Sequence, residues 1–138
     1  MKTTKTEVVT DIIVELIQNE KRQVLLIKRK KDPFKDMWAL PGGFVETDEE
    51  VQTAAARELK EETGLQVKRE KLQFLDYFDA PDRDPRGRLI SFAFGVKFTD
   101  KPTLNAGDDA GDARWFPLNE LPTLAFDHQT ILARWEER

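Results

Sequence analysis

The sequence predicts an α/β protein in which a mixed β-sheet lies between helices, as an α/β/α sandwich. Three observations favour this class. Segments rich in β-branched and apolar residues, several of them alternating with a period of two, occur before and after residues 47–64. Residues 47–64 themselves have the pattern of one long helix, and a second amphipathic segment follows Asp127. Strands on both sides of a long helix, without repeats or linkers, indicate a layered fold.

Length and composition limit the function classes. The 138 residues suit one domain, residues 1–138, and 39% are hydrophobic while 35% are charged, as in a soluble globular protein. No apolar run approaches the roughly 18 residues that a membrane span needs. The chain contains no cysteine, which fits a reducing cytoplasm. A net charge of −4 with scattered basic residues argues against a nucleic-acid partner.

The first part of the chain predicts a β-hairpin. Residues 8–17 are rich in β-branched side chains, and residues 23–29 have an apolar centre, VLLI, that is expected to be buried on both faces. The polar residues 19–22 form the turn between them. A loop at 32–34 follows, and then Pro41-Gly42-Gly43, where paired glycines let the backbone approach a ligand closely.

The second part of the chain predicts further strands. Residues 66–69 are expected to form a short strand, and residues 72–78 a longer one. Residues 79–88 are dense in Pro, Gly and charge, which is typical of a loop, and their three arginines can grip phosphate or carboxylate. Residues 89–98 alternate phenylalanines with small residues, so this strand has a core face and a small-residue face. Residues 113–116 predict a last strand.

A final helix is predicted from residue 128 to the C-terminus. Asp127 is of a type that caps helices with its side chain, and His128 is interpreted as a helix-start residue rather than a catalytic one. Helical spacing places three large apolar residues on the inner face, namely Ile131, Leu132 and Trp135.

The central helix carries the chemistry. Thr47 and Glu50 have the spacing of a capping box, and Gly64 is the residue expected just past a helix end. Helical spacing places three carboxylates among the apolar residues of the core-facing side: Glu58, Glu61 and Glu62. Clustered like charges beside a core need a cation to offset their repulsion, and Mg²⁺ or Mn²⁺ prefers such oxygen ligands. The alternative from periodicity alone is a charge-rich helix face with no ligand.

A resemblance adds to this interpretation. Gly43, Glu49 and the run Arg57-Glu58-Leu59-Lys60-Glu61-Glu62-Thr63-Gly64-Leu65 resemble the Nudix box, G-x5-E-x7-R-E-U-x-E-E-x-G-U with U aliphatic, at every fixed position. The chain is identified on this basis as a member of the Nudix hydrolase family. The resemblance implies the Nudix fold and hydrolysis of a nucleoside diphosphate linked to another group.

The resemblance also implies roles for individual residues. The metal ligands would be the Gly42 carbonyl, Glu58, Glu61 and Glu62. Arg57 would orient the glutamates, while Gly43 and Glu49 are accessory members of the box. The general base would be Glu61 or Glu62, with Asp109 of a later loop as second choice and its neighbour Asp108 as competitor. Family members are often dimers, so a homodimer is among the expected assemblies.

Features outside the box indicate the substrate. Pro81 lies sixteen residues after Leu65, as in ADP-ribose pyrophosphatases, and residues 82–87 resemble the G-R-D-P-R-G loop of one bacterial branch of them, with Asp82 in place of the first glycine. ADP-ribose would be cut to AMP and ribose 5-phosphate. The expected substrate-binding residues are Arg29, Arg83 and Arg86 for phosphate or ribose and Phe34 or Trp38 for stacking on adenine. The alternatives are a house-cleaning hydrolase of nucleoside triphosphates and a non-catalytic ADP-ribose-sensing domain.

Overall fold

The computed structural model describes residues 5–104 and 112–138. It contains seven strands, two α-helices and a short 3₁₀ helix at Arg69–Lys71. The strands and helices are β1 Thr6–Gln18, β2 Lys21–Lys28, β3 Trp38–Ala39, β4 Gly42–Phe44, α1 Val51–Thr63, β5 Gln73–Phe78, β6 Arg88–Phe98, β7 Ala113–Pro117 and α2 His128–Glu137. Within the described ranges, no helix has the length and apolar character that crossing a membrane requires.

The strands form one mixed sheet with β1 near its centre. β1 pairs in parallel with β6 along one edge, and β5 pairs antiparallel with β6 beyond it. On the other edge β1 pairs antiparallel with β2, and β7 covers the outer edge of β2. The β1–β2 turn has Asn19 and Glu20 at φ 50° and 63°, which is the left-handed geometry that two-residue hairpin turns favour. The predicted hairpin and mixed sheet are confirmed.

The sheet opens into a fork between β1 and β2. These strands pair through 15–18 and 21–24, but farther along β1 pairs with β4 and β2 pairs with β3 on the same edges. The short segment 38–44, which contains β3 and β4, therefore fills the gap between the two diverging strands. The glycine pair Gly42-Gly43 lies in this fork.

A helix covers each face of the sheet. α1 packs Ala55 and Leu59 against one face, and α2 packs Ile131 and Trp135 against the other. The small-residue face of β6 admits this second layer, because a Cβ atom on Gly95 would lie 2.1 Å from the Trp135 ring. Both faces of β1 and β2 are consequently buried, which confirms the α/β/α sandwich and the inner face predicted for α2.

Three local predictions are wrong. The capping box does not form: α1 begins at Val51 with Glu50 at the N-cap and no side-chain cap, because Glu50, the predicted partner of Thr47, lies 3.3 Å from Arg69 instead. Gly64 does end α1, with φ 77° and its N–H donated to Lys60 O. Residues 66–69 form no strand, since the chain turns there into the 3₁₀ helix. The predicted Asp127 side-chain cap is absent.

Candidate active site

A cleft opens at the fork between β1 and β2. The strands contribute Asp11 and Arg29, and the segment between them contributes Gly42, Gly43 and Phe44. Three other parts of the chain complete its walls: the end of α1 with Glu62, the loop before β6 with Arg83, Asp84 and Arg86, and the residues around the start of α2 with Phe126 and His128.

Glu62 at the end of α1 lines one wall of the cleft, and Arg57 contacts the other two box carboxylates of this helix, Glu58 and Glu61. Its guanidinium donates to Glu58 Oε1 at 2.9 Å and to Glu61 Oε2 at 3.2 Å, and it grips both oxygens of Glu49 at 2.7 and 2.8 Å. It also donates to the Phe44 carbonyl at 3.0 Å. The planar fork of an arginine suits such bidentate contacts. Arg57 thus connects three glutamates of the box, Glu49, Glu58 and Glu61, to the backbone of β4.

Glu62 is the carboxylate at the cleft itself. Its Oε1 accepts the Gly42 backbone N–H at 2.6 Å, which ties the end of α1 to β4. Burial raises the pKa of Glu62 to about 8, and the nearby charges of Glu58 and Asp11 add to the rise. Without a cation beside it, this carboxyl group therefore carries a proton over much of the neutral range.

Glu58 lies against the glycine pair, and its side chain is 15% exposed. A Cβ atom on Gly43 would lie 2.4–2.6 Å from the atoms of the Glu58 carboxyl group, so only glycine leaves room for the carboxylate. Burial raises the pKa of Glu58, although the contact with Arg57 opposes this. Two desolvated carboxylates therefore face the same glycine pair.

A divalent cation fits this donor set. Within residues 5–104 and 112–138, no three Asp, Glu or His side chains converge into a ready-made metal cluster. The reason is visible in the contacts, because Glu58 and Glu61 turn toward Arg57 while Glu62 turns toward the Gly42 N–H. Hard oxygen donors with raised pKa values, packed beside a backbone kept open by glycine, suit Mg²⁺ or Mn²⁺ chemically. Metal ligation by these residues stays a prediction.

The opposite wall is cationic and aromatic. The guanidinium carbon of Arg29 lies 4.8 Å from the centre of the Phe126 ring, and that of Arg86 lies 5.3 Å from the same ring and 5.1 Å from the Phe44 ring. Asp84 holds Arg86 through two contacts of 3.0 and 2.8 Å. Burial, and then the charge of Arg86, lower the pKa of Arg29. Two cations sharing one ring form a wall suited to an anionic ligand.

A buried polar network lies beneath this wall. Asp11 accepts the Ser91 hydroxyl at 2.6 Å and lies 3.3 Å from His128 Nε2. His128 Nδ1 accepts the Leu40 N–H at 3.0 Å, so the proton of a neutral imidazole lies on Nε2, facing Asp11. Burial alone would raise the pKa of Asp11, but hydrogen bonds from His128 and Ser91 and the charge of Arg83 bring it below its ordinary value. Asp11 is thus a buried anion with three partners.

The structure sorts the predicted substrate residues into groups. Arg29, Arg83 and Arg86 all line the cleft, but Arg83 is buried and gives its guanidinium to Asp127 at 2.7 and 2.9 Å. Phe34 and Trp38 do not line the cleft. Their rings instead pack edge-on, 4.7 Å from Phe126 and 4.8 Å from Phe116 respectively. Asp108 and Asp109, the predicted loop acids, lie outside the described residues.

Sequence reasoning missed several residues of the cleft. Phe44 and Phe126 supply the aromatic surface that was assigned to Phe34 and Trp38, and Asp11 and His128 supply the polar floor. Asp11 alone carried a usable signal, because a single aspartate inside a run of β-branched residues predicts a buried charge with a partner. The position of Phe126 depends on tertiary packing, which no local pattern reveals.

Comparison with known proteins agrees with this geometry. The chain matches the NUDIX domain over residues 8–135. It is 49% identical over 128 residues to an ADP-ribose pyrophosphatase of Methanocaldococcus jannaschii, covering 91% of this chain and 74% of the relative. It is 31% identical over 126 residues to the ADPR responsive transcriptional repressor NtrR of Acinetobacter baylyi, covering 88% of this chain but only 50% of the repressor.

A solved structure is similar over almost the full chain. The NUDIX domain of Shewanella oneidensis NrtR, complexed with ADP ribose, superimposes with a TM-score of 0.86 at 25% identity and covers 99% of this chain and 90% of that domain. The match to the family covers the box, the glycine pair and both walls of the cleft. This chain therefore belongs to the Nudix hydrolase family.

Proposed function

We propose that this protein hydrolyses ADP-ribose to AMP and ribose 5-phosphate with the help of a divalent cation. A water oxygen bonds to one phosphorus, the bond from that phosphorus to the bridging oxygen breaks, and two monophosphates leave. The observation that carries the proposal is the opposition of two walls in one cleft. Glu62 lines one side, with Glu58 packed against the adjoining Gly43, and Arg29 and Arg86 line the other. Such a pair of walls suits a diphosphate that is held partly by a cation and partly by guanidinium groups.

The relatives support the substrate. The Methanocaldococcus relative is named an ADP-ribose pyrophosphatase, and the Shewanella domain was solved with ADP ribose. The cleft residues agree with this substrate class, because the cationic wall suits anionic phosphate groups while the Phe44 and Phe126 rings suit a flat or apolar part of a nucleotide.

We assign the metal site to Glu58, Glu61, Glu62 and the carbonyl of Gly42. Mg²⁺ or Mn²⁺ bound there would screen the phosphate charge and lower the pKa of a water molecule. Arg57 contacts both Glu58 and Glu61 and keeps the two carboxylates together beside the helix end. Glu61 or Glu62 would accept the proton of the attacking water, and Asp109 remains the second candidate. Glu62 suits the role because burial raises its pKa to about 8, close to neutral pH.

We assign the phosphate or terminal ribose of the substrate to Arg29 and Arg86. Both guanidinium groups line the cleft, and the Arg86 side chain retains substantial exposure. A nucleotide substrate and a sequence without cysteine agree with a cytoplasmic location, which we also propose.

A substrate panel tests the proposal. Values of kcat/KM are measured for ADP-ribose, for oxidised and ordinary nucleoside triphosphates and for other nucleoside diphosphate derivatives, with Mg²⁺ present. We expect ADP-ribose to give the highest value. A preference for triphosphates would support a house-cleaning hydrolase within the same family instead.

The Acinetobacter relative favours one second candidate, a domain that binds ADP-ribose as a signal. Calorimetric titration with ADP-ribose, run beside the activity assay, separates the two functions. Micromolar binding without turnover in the presence of Mg²⁺ would support the sensing function and contradict hydrolysis.

A further inference from the structure

Arg83 is enclosed by protein. Its side chain is 2% exposed, and its Nε and Nη2 donate to the two oxygens of Asp127 at 2.9 and 2.7 Å. Nη2 also lies 3.6 Å from Asp11. The guanidinium of Arg83 is thus paired with carboxylates of this chain and closed off from solvent, whereas Arg86, which is also paired with an aspartate, keeps a side chain that is 37% exposed.

Asp127 makes this ion pair in place of the side-chain cap that its position in the helix favours. It occupies the N-cap position of α2, where an aspartate ordinarily accepts a backbone N–H of the first turn, yet its side chain makes no such bond. The preceding residue, Phe126, has φ 52°, a left-handed conformation that bulky residues rarely adopt. The start of α2 is therefore held in a conformation that local preferences disfavour, and Arg83 supplies one of the contacts that hold it.

The ion pair joins the two segments that build the cationic wall. On one side, Phe126 directly precedes Asp127 and carries Arg29 and Arg86 over its ring. On the other side, Arg86 follows Arg83 by three positions, and the intervening Asp84 is buried and holds Arg86. Fixing Arg83 to Asp127 therefore fixes the distance between the Phe126 ring and the Arg86 loop.

Stability alone is a weak explanation for this pair. The cost of removing two charged groups from water offsets most of the attraction in a buried ion pair, so such pairs often contribute little net stability. What they do provide in several proteins is one defined arrangement of the surrounding residues. Here that arrangement is the cationic wall of the cleft.

We propose that Arg83 and Asp127 are positioning residues for the substrate. Their ion pair holds Phe126 and Arg86 in the geometry that receives the anionic part of the ligand, and Arg83 acts through Asp127 rather than through direct contact with the substrate. This inference rests on the proposed ADP-ribose hydrolysis for its kinetic readout.

A double-mutant cycle tests it. The variants are Arg83→Lys, Asp127→Asn and the double variant, and KM and kcat are measured for ADP-ribose. We expect each single variant to raise KM about tenfold with kcat nearly unchanged, and the double variant to be no worse than either, because residues acting as one unit are not additive. If Asp127→Asn keeps the original KM while Arg83→Lys raises it, Arg83 contacts the substrate directly and the inference is overturned.

A matched control separates positioning from a general loosening of α2. Arg134 also ties α2 to the sheet, through Asp76 of β5 at 2.9 Å, but this pair is more exposed and lies outside the cleft lining. Arg134→Lys should leave KM unchanged. A rise equal to that of Arg83→Lys would show that any weakened α2 contact has the same effect, and would contradict the inference.

If Asp127→Asn fails to fold, Asp127→Glu replaces it, with the same expected rise in KM because the carboxylate is displaced.

A measurement without substrate distinguishes this inference from the proposed function. Hydrogen exchange of the backbone amides is followed in segments 79–88 and 122–130 of the wild type and of each variant. We expect either single substitution to accelerate exchange in both segments, and Arg134→Lys to leave segment 79–88 unchanged. If the wild type does not cleave ADP-ribose, the proposed function fails, but the exchange rates of the two segments still show whether the Arg83–Asp127 ion pair holds them together. Exchange that changes only in the substituted segment would refute it.

Discussion

The backbone N–H of Gly42 donates to Glu62 Oε1 at 2.6 Å, and this hydrogen bond joins the last carboxylate of α1 to β4 at the cleft. It stabilises the charged form of Glu62, but burial outweighs it and the pKa rises to about 8. The Glu62 carboxylate therefore lies at the cleft in a site where the positive charge of Arg29 only partly offsets its burial. A divalent ion would supply the missing positive charge, so metal binding and the protonation of Glu62 should be linked.

The stability of the metal-free protein should depend on pH through Glu62. The folded pKa, about 8, lies above the ordinary value of 4.5, so the folded chain binds this proton more tightly than the unfolded chain does. Stability should therefore fall as pH rises from about 4.5 to about 8. The measurement is Tm against pH in the presence of a chelator. Glu62→Gln should remove most of the fall, and wild-type and variant curves that run parallel would contradict the assignment.

Alanine at Gly43 should weaken metal binding without unfolding the protein. The added Cβ would meet the flexible end of Glu58 at 2.4–2.6 Å, so the carboxylate moves while the strand stays. We expect a loss of about 10–100-fold in metal affinity, measured by titration calorimetry. Gly42→Ala is the contrasting variant, because its Cβ would lie 2.0 Å from the Thr10 carbonyl and should lower Tm. Unchanged metal affinity in Gly43→Ala would remove Glu58 from the metal site.

Replacing Arg57 with lysine should reduce kcat more than it changes KM. An ammonium group cannot hold Glu49, Glu58 and Glu61 together as the guanidinium does. A reduction of roughly 10–100-fold is expected for a residue that orients metal ligands. Arg69→Lys is the control, since Arg69 contacts α1 on another side, at Glu50 and Thr53. Equal losses in both variants would attribute the effect to the helix rather than to the glutamates.

Removing Arg86 should weaken substrate binding. A lost hydrogen bond to a charged group commonly costs about 1.5–3 kcal/mol, so Arg86→Ala should raise KM for ADP-ribose about tenfold or more. Trp38→Phe serves as the comparison, because Trp38 packs on Phe116 and does not line the cleft. Initial-rate kinetics on both variants show which of the two residues contacts the substrate. A rise in KM for Trp38→Phe with none for Arg86→Ala would support the stacking role predicted for Trp38.

Local chemistry explains which parts of the fold the sequence predicted. Gly64 ends α1 because it adopts a left-handed conformation without strain, and this preference is visible in any sequence. The start of α1 was wrong by several residues, because Glu50, the predicted partner of Thr47 in a capping box, stands at the N-cap itself and contacts Arg69, nineteen positions away. Asp127 likewise binds Arg83, 44 residues away. Long-range ion pairs of this kind override local cap preferences and leave no local pattern.

In the candidate site, too, the residues set by a local pattern were predicted, and those set by long-range packing were not. Helical spacing was enough to bring Glu58 and Glu62 to one side of α1, because both belong to a single regular element. The sequence pointed to Phe34 or Trp38 for stacking, whereas the rings that line the cleft are Phe44 and Phe126, and the position of Phe126 depends on the packing of α2 on the sheet. Arg83 was predicted to hold the phosphate or ribose of the substrate, but its burial against Asp127 becomes visible only in the folded structure.

The central claim is that the carboxylates of α1 carry cation-dependent cleavage of ADP-ribose. Its most direct test is AMP release from ADP-ribose, with and without Mg²⁺, by the wild type, Glu62→Gln and the control Glu70→Gln, whose exposed side chain lies in the 3₁₀ helix. We expect release only with the cation, a loss of roughly 10²–10³-fold in kcat for Glu62→Gln, and no loss for the control. Full activity of Glu62→Gln, or equal release by the wild type in a chelator, would contradict the claim.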